Sequence, residues 1–197
     1  MLAYIAAVSF LIITPGPGVL TTAGVGSAYG FKAGLAYMSG IIIGGLIVMT
    51  SVASGLTAIV FSFPPVRYIL LFASLAYLLY LGFRIATSGA RIAFIATDRP
   101  LGFLNGLALA VINPKAYAVS TTLFGGFAIL PGNPLLEPAV KIAVFASISI
   151  PVHFLWLYAG ASLKQLGLGS TAMRLINIAM ALAMLMVVGL ALYASGF

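Results

Sequence analysis

Residues 2–24 read LAYIAAVSFLIITPGPGVLTTAG, and this stretch decides the fold. An apolar run from Leu2 to Ile13 meets Thr14-Pro15-Gly16-Pro17, resumes at Val19 and fades near Tyr29. A helix needs about 20 mostly apolar residues to cross a bilayer, so neither half suffices alone but the two together do. Proline lacks the backbone donor that an ordinary helix requires. Two prolines around a glycine therefore mark a break rather than a gentle kink. In hydrocarbon each unpaired backbone group costs several kcal/mol, so a break there needs protein, water or a solute to satisfy the freed groups. A signal peptide carries basic residues ahead of its apolar core. None precedes Leu2, so the segment is expected to be a retained span, broken in its middle.

The rest of the chain reads the same way. A second apolar run, Ala33 to Phe63, lies between Lys32 and Arg67 and stops at Pro64-Pro65. A third, Tyr68 to Phe83, is bracketed by Arg67 and Arg84, whose long side chains can snorkel to the interfaces. Ala86 to Pro100 holds Arg91, Asp98 and Arg99 and reads as a loop. A fourth run, Leu101 to Leu130, is interrupted by Asn113-Pro114-Lys115 and ended by Pro131-Gly132-Asn133-Pro134. The fifth run is Ile142 to Leu163 and the sixth Leu175 to about Tyr193. Barrel strands would instead be about 10 residues of alternating polarity. Hydrophobic residues make up 63% of the 197 positions and charged residues 6%. A soluble domain carries about 25% charged residues, so the expectation is an all-α integral membrane protein with six transmembrane helices.

The six runs divide into two similar halves. Arg67, Ile69, Leu75, Ala76, Leu78 and Gly82 in the third run overlay Arg174, Ile176, Leu182, Ala183, Leu185 and Gly189 in the sixth. Pro15 follows Leu2 by 13 residues, and Pro114 follows Leu101 by 13. Three spans per half is an odd number, so the halves must be inverted in the membrane. The reading is a single polytopic domain over 1–197, with repeat one at about 1–86, a linker at about 87–100 and repeat two at about 101–197. The first and fourth helices are the broken ones. Paired interrupted helices in inverted repeats point to a solute site near the midplane of a secondary transporter.

The net charge of +7 sits in short loops rather than in one patch, which speaks for membrane orientation and against nucleic-acid binding. Lys32, Arg84, Arg91, Arg99, Lys164 and Arg174 follow spans one, three and five, whereas Arg67 and Lys141 follow spans two and four. The positive-inside rule then predicts a multi-pass protein with both termini facing outward.

The candidate substrate-binding residues are Thr14, Pro15, Gly16, Pro17, Asn113, Pro114 and Lys115. A half-helix N-terminus offers free donors and a positive dipole end, which suits a carboxylate. Lys115 lies deep in an apolar run, where insertion costs about 2.5–3.5 kcal/mol, so it should face a cavity. His153 suits either a proton relay or a neutral, hydrogen-bonded core position. Asn105 and Asn177 suit interhelical hydrogen bonds, and Gly40-Ile-Ile-Ile-Gly44 and Gly102-Phe-Leu-Asn-Gly106 suit close helix packing. Asp98 and Glu137, the only acids, fall in predicted loops. With one histidine and no cysteine, no metal first shell or cofactor site is expected. No nucleophile–base pairing points to an enzyme. Expected partners are a small-molecule solute and the lipid bilayer; a homo-oligomer stays open.

These features together resemble the LysE/RhtB type of amino-acid exporter, the lysine exporter and homoserine/threonine resistance transporters. The resemblance covers nearly the whole chain. It rests on Thr14-Pro15-Gly16-Pro17, on Gly30-Phe31-Lys32-Ala33-Gly34, on Ala76-Tyr77-Leu78-Leu79-Tyr80-Leu81-Gly82-Phe83-Arg84, and on Gly102 followed by Asn113-Pro114-Lys115-Ala116. It implies six helices in a bacterial inner membrane and export of small amino-acid-like metabolites, driven by a proton or ion gradient. It also implies that the two broken helices form the substrate region. This chain departs from the family pattern twice. Gly18 stands where an Asn or Asp commonly follows the first motif, and Gly45 stands where an Asp is common in span two. The second departure motivates an alternative, a non-transporting membrane scaffold or accessory subunit that retains the transporter fold.

Overall fold

The computed structural model describes residues 1–56, 101–133 and 135–166, with isolated positions between 62 and 83 and between 171 and 186. Its elements are all helices: α1 (Leu2–Ile13), α2 (Pro17–Tyr29), α3 (Phe31–Ala53), α4 (Phe103–Ile112), α5 (Pro114–Gly125) and α6 (Leu136–Gln165). The third and sixth runs, the 87–100 linker, Asn177 and most of the overlaid segments lie outside the described residues.

Both expected breaks are present. α1 and α2 meet at 50° across Thr14–Gly16, and α4 and α5 meet at 61° across Asn113. α3 and α6 are each long and apolar enough to cross a bilayer, and each bent pair qualifies if taken as one span. The bends follow from local chemistry. Pro17 and Pro114 occupy the first turns of α2 and α5, where a missing N–H costs nothing. Each would have broken a helix that continued through it.

Two boundaries differ from the apolar runs. α3 ends at Ala53 rather than near Phe63, at a turn where Gly55 has a φ of +76°. α6 begins at Leu136 rather than Ile142, so Glu137 and Lys141 lie in a helix and not in a loop. Charge does not stop this helix because both ions are paired within it. Lys141 Nζ lies 2.8 Å from Glu137 Oε1 and donates to the carbonyls of Phe124 (3.2 Å) and Phe127. Glu137 in turn accepts from the N–H groups of Ile129 and Leu130, both at 3.2 Å. Lys141 is therefore a buried anchor rather than a loop cation.

Small residues set the helix crossings. A Cβ on Gly40 would collide with the Phe103 carbonyl, and one on Gly106 with the Tyr37 carbonyl. Gly44 would meet Ala110 Cβ at 2.6 Å. α3 and α4 thus approach backbone to backbone, as small-residue motifs allow in membranes. Gly102 has open space around it and takes no part. It caps α4 instead, donating its N–H to Asn105 Oδ1 at 3.1 Å. Asn105 is exposed, so its expected interhelical bond is replaced by this local one. On the other flank α2 seats against α6, where a Cβ on Gly160 would strike the Ala23 carbonyl.

The result is inverted relative to a soluble protein. Phe10 and Leu104 are each 73% exposed, whereas Lys141 is 3% exposed. Apolar side chains on this scale at the surface fit a lipid environment. α2 is buried from Val19 to Ser27, while α1 buries only Tyr4 and Val8. The break therefore sends the second half of the first span into the middle of the bundle.

Candidate functional site

A cavity of about 80 Å³ lies where the two breaks face each other. All six helices contribute to its wall. Gly16, Gly18 and Val19 come from the first break, and Asn113, Lys115, Ala116 and Ser120 from the second. Ile41 and Gly45 of α3 and Phe145, Ser149 and His153 of α6 complete most of the lining.

Lys115 joins the breaks. Its Nζ donates to the carbonyl of Thr14 at 2.5 Å, across 101 residues of sequence. Thr14 is the C-cap of α1, where carbonyls lack helical partners and the dipole is negative. A cation at that point satisfies a freed acceptor and the dipole together. The ammonium has three donors, so one hydrogen bond leaves capacity for a ligand. The Lys115 side chain also crosses Gly16 closely. A Cβ there would lie 2.8 Å from Lys115 Cδ and 3.0 Å from Nζ.

The two half-helix N-termini differ. Asn113 caps α5: its Oδ1 accepts the Lys115 N–H at 3.1 Å, and its carbonyl accepts from Ala116 at 3.0 Å. Gly16 precedes α2 without any side-chain cap. Pro17 has no N–H, so Gly18 and Val19 carry the first-turn donors, and both line the cavity. Thr21 and Thr22, next along α2, bond back to the carbonyls of Pro17 (2.6 Å) and Gly18 (2.8 Å).

His153 is 6% exposed. Its Nδ1 lies 2.8 Å from the Ser149 carbonyl and 3.2 Å from Ser149 Oγ. A carbonyl only accepts, so Nδ1 carries the proton in the neutral ring and Nε2 is left bare. A Cβ built on Gly18 would sit 3.8 Å from that Nε2. Pro151, inside α6, lacks the N–H that would otherwise bond the Ser147 carbonyl.

Of the residues singled out from sequence, Gly16, Asn113, Lys115 and His153 line the cavity. Thr14 supplies its carbonyl to Lys115 from outside the wall, and its hydroxyl bonds back to Phe10 at 2.6 Å. Pro15, Pro17 and Pro114 shape the breaks without lining the space. Ser120 and Ser149 were not legible as site residues. A serine in an apolar helix carries no periodic signal, and only the fold turns these two inward. Gly18 and Gly45, the two departures from the expected pattern, both lie on the cavity wall. The nearest atom to a Cβ on Gly45 would be Phe145 Cε1 at 4.0 Å, so the place of the missing side chain is open space.

The profile of the LysE type translocator family matches residues 9–196. The chain belongs to that family. It is accordingly a multi-pass membrane protein of a translocator family, and the resemblance read from its motifs is correct. Among its relatives, a cysteine/O-acetylserine efflux protein of Salmonella typhimurium is 28% identical over 149 residues, 75% of each chain. The protein of the same name from Escherichia coli O1:K1 is 28% identical over 155 residues, 78% of each chain. These names describe transport rather than catalysis. No solved structure matches the chain.

Proposed function

We propose that this chain is a secondary exporter of small amino-acid-like solutes across the bacterial inner membrane, driven by a proton or ion gradient. Its six spans would form two inverted three-helix repeats in one domain, with the solute held between the two broken helices. The observation that carries this reading is the Lys115 bridge. It brings two breaks that are 101 residues apart to one cavity and places a cation there. Both termini would be periplasmic, in keeping with the cation-rich loops after spans one, three and five.

The assignment of the site follows the donors. The solute carboxylate would take the uncapped N–H groups of Gly18 and Val19 together with Lys115 Nζ. Thr14, Pro15, Pro17 and Pro114 would hold this shape, and Asn113 would fix the start of α5. Ser120, buried in the wall with no hydrogen bond of its own among the described residues, would add a hydroxyl. One water needs about 10–15 Å³, so a cavity of about 80 Å³ has room for a small solute. The relatives named for cysteine and O-acetylserine efflux support small amino acids as the class. For the gradient, His153 is the titratable side chain on the wall besides Lys115 among the described residues.

Everted vesicles carrying the chain should take up radiolabelled cysteine or O-acetylserine when the membrane is energised. Uptake equal to that of empty vesicles for a panel of small amino acids would sink the exporter reading. Unchanged uptake by Lys115→Ala would sink the site assignment alone.

A further inference from the structure

The donors at the breaks account for a carboxylate, but an amino acid also carries an ammonium. Within the described wall no acid is present to receive it: the polar side chains are Asn113, Lys115, Ser120, Ser149 and His153. Lys115 only donates, and Asn113 Oδ1 is taken by the Lys115 N–H. The Ser149 hydroxyl lies against His153 Nδ1. His153 is different. Its Nδ1 is held by Ser149 from its own helix, and its Nε2 has no partner among the described residues. The residue is more than nine-tenths buried and lines the cavity, so an occupant of the cavity is what can satisfy that lone pair. A buried acceptor without a partner calls for one.

We propose that His153 Nε2 is the acceptor that reads the ammonium group of the solute, with Ser149 as the positioning residue that fixes the tautomer. This rests on the exporter reading above and deepens it. The geometry accommodates α-amino acids. Nε2 lies 3.8 Å from the place of a Gly18 Cβ, so it is at most roughly 6 Å from the Gly18 N–H donor by standard covalent geometry. A solute that places its carboxylate on that donor and its ammonium on Nε2 can therefore be as short as an α-amino acid. Gly18 also leaves the path open, because a larger side chain there would stand between its own helix and the imidazole.

Counterflow of radiolabelled L-cysteine into reduced, cysteine-loaded vesicles containing the full chain tests this. The competitors are unlabelled L-cysteine and 3-mercaptopropionate, which is cysteine without its ammonium. In the wild type, cysteine should compete at least about tenfold better, the size of one charge-assisted hydrogen bond. His153→Leu should weaken cysteine and leave 3-mercaptopropionate unchanged, bringing the ratio close to one. His153→Gln, which keeps an acceptor oxygen, should retain most of the ratio, and it serves as the decisive variant if His153→Leu fails to fold. An equal loss for both competitors, an unchanged ratio in His153→Leu, or a ratio lost as fully in His153→Gln overturns the assignment and leaves the exporter reading standing. Absence of counterflow in the wild type for cysteine and for the rest of the panel of small amino acids overturns both.

Discussion

The two helix breaks, at prolines 13 residues after Leu2 and 13 after Leu101, handle their freed backbone groups in opposite ways. At the second break, Asn113 turns its side chain and carbonyl onto the first donors of α5, so that half-helix starts already satisfied. At the first break a glycine stands in the capping position, two prolines flank it, and Gly18 and Val19, which carry the first-turn donors, line the cavity without a side-chain cap. The second break supplies Lys115, and the first receives it at Thr14. One break is therefore closed and gives a charge, while the other is open and can take a ligand. Two similar breaks do not need the same chemistry. The proposed site would use an uncapped helix end on one side only.

Lys115 is where this comparison is easiest to break. Lys115→Met leaves the Thr14 carbonyl without its partner, and an unsatisfied buried acceptor costs about 1–3 kcal/mol. The expected outcome is earlier thermal unfolding in detergent together with a loss of cysteine uptake of at least about tenfold. Unfolding at the wild-type temperature would mean that the two breaks are not held together through this side chain.

Transplanting the cap is the next largest change. Gly16→Asn places at the first break the oxygen that Asn113 provides at the second. Gly16 is extended, with a φ of −165°, so a side chain is tolerated by the backbone. Its nearest obstacle is the flexible Lys115 side chain. Uptake should fall several-fold because the donors of α2 become occupied and Lys115 is displaced. Full uptake by this variant would show that the first break is not the receiving end.

Removing the cap from the second break should act on stability instead. Asn113→Ala is expected to cost about 1 kcal/mol, as for other N-caps, and Asn113→Ser to recover most of it. Denaturation of the purified variants measures this directly. The smallest effect is expected from Gly18→Ala. Its new methyl would meet Ile41 Cγ2 at 3.5 Å, an ordinary contact. Stability should stay within about 0.5 kcal/mol, while half-saturation rises more for O-acetylserine than for the smaller cysteine.

Much of the fold is legible along the chain because the bilayer punishes local errors. Helix ends in hydrocarbon must be chemically marked, and Pro15, Pro17 and Pro114 mark them where the structure bends. Gly40 and Gly106 are legible for a similar reason, since only small residues allow backbones to meet. The reading went wrong where a polar residue found its partner elsewhere. Glu137 and Lys141 look like loop ions, but each neutralises the other and Lys141 satisfies carbonyls at the end of α5. Asn105 looks like interhelical glue, but it caps its own helix.

The candidate site is only half legible, and the dividing line is contact order. Composition, apolar run length and the proline breaks by themselves establish a helical membrane protein with two interrupted helices, because each is a property of a continuous segment in a solvent that tolerates no unpaired backbone. Which break is capped and which is open also depends on neighbouring residues, once the geometry is known. That Lys115 reaches Thr14, that Ser120 and Ser149 turn inward, and that His153 presents a bare nitrogen beside Gly18 are decided by tertiary structure alone. These relations join residues up to 135 positions apart in sequence, the separation of Gly18 from His153 (153 − 18). No local pattern can encode them, since they arise only when α2, α5 and α6 pack around a common space.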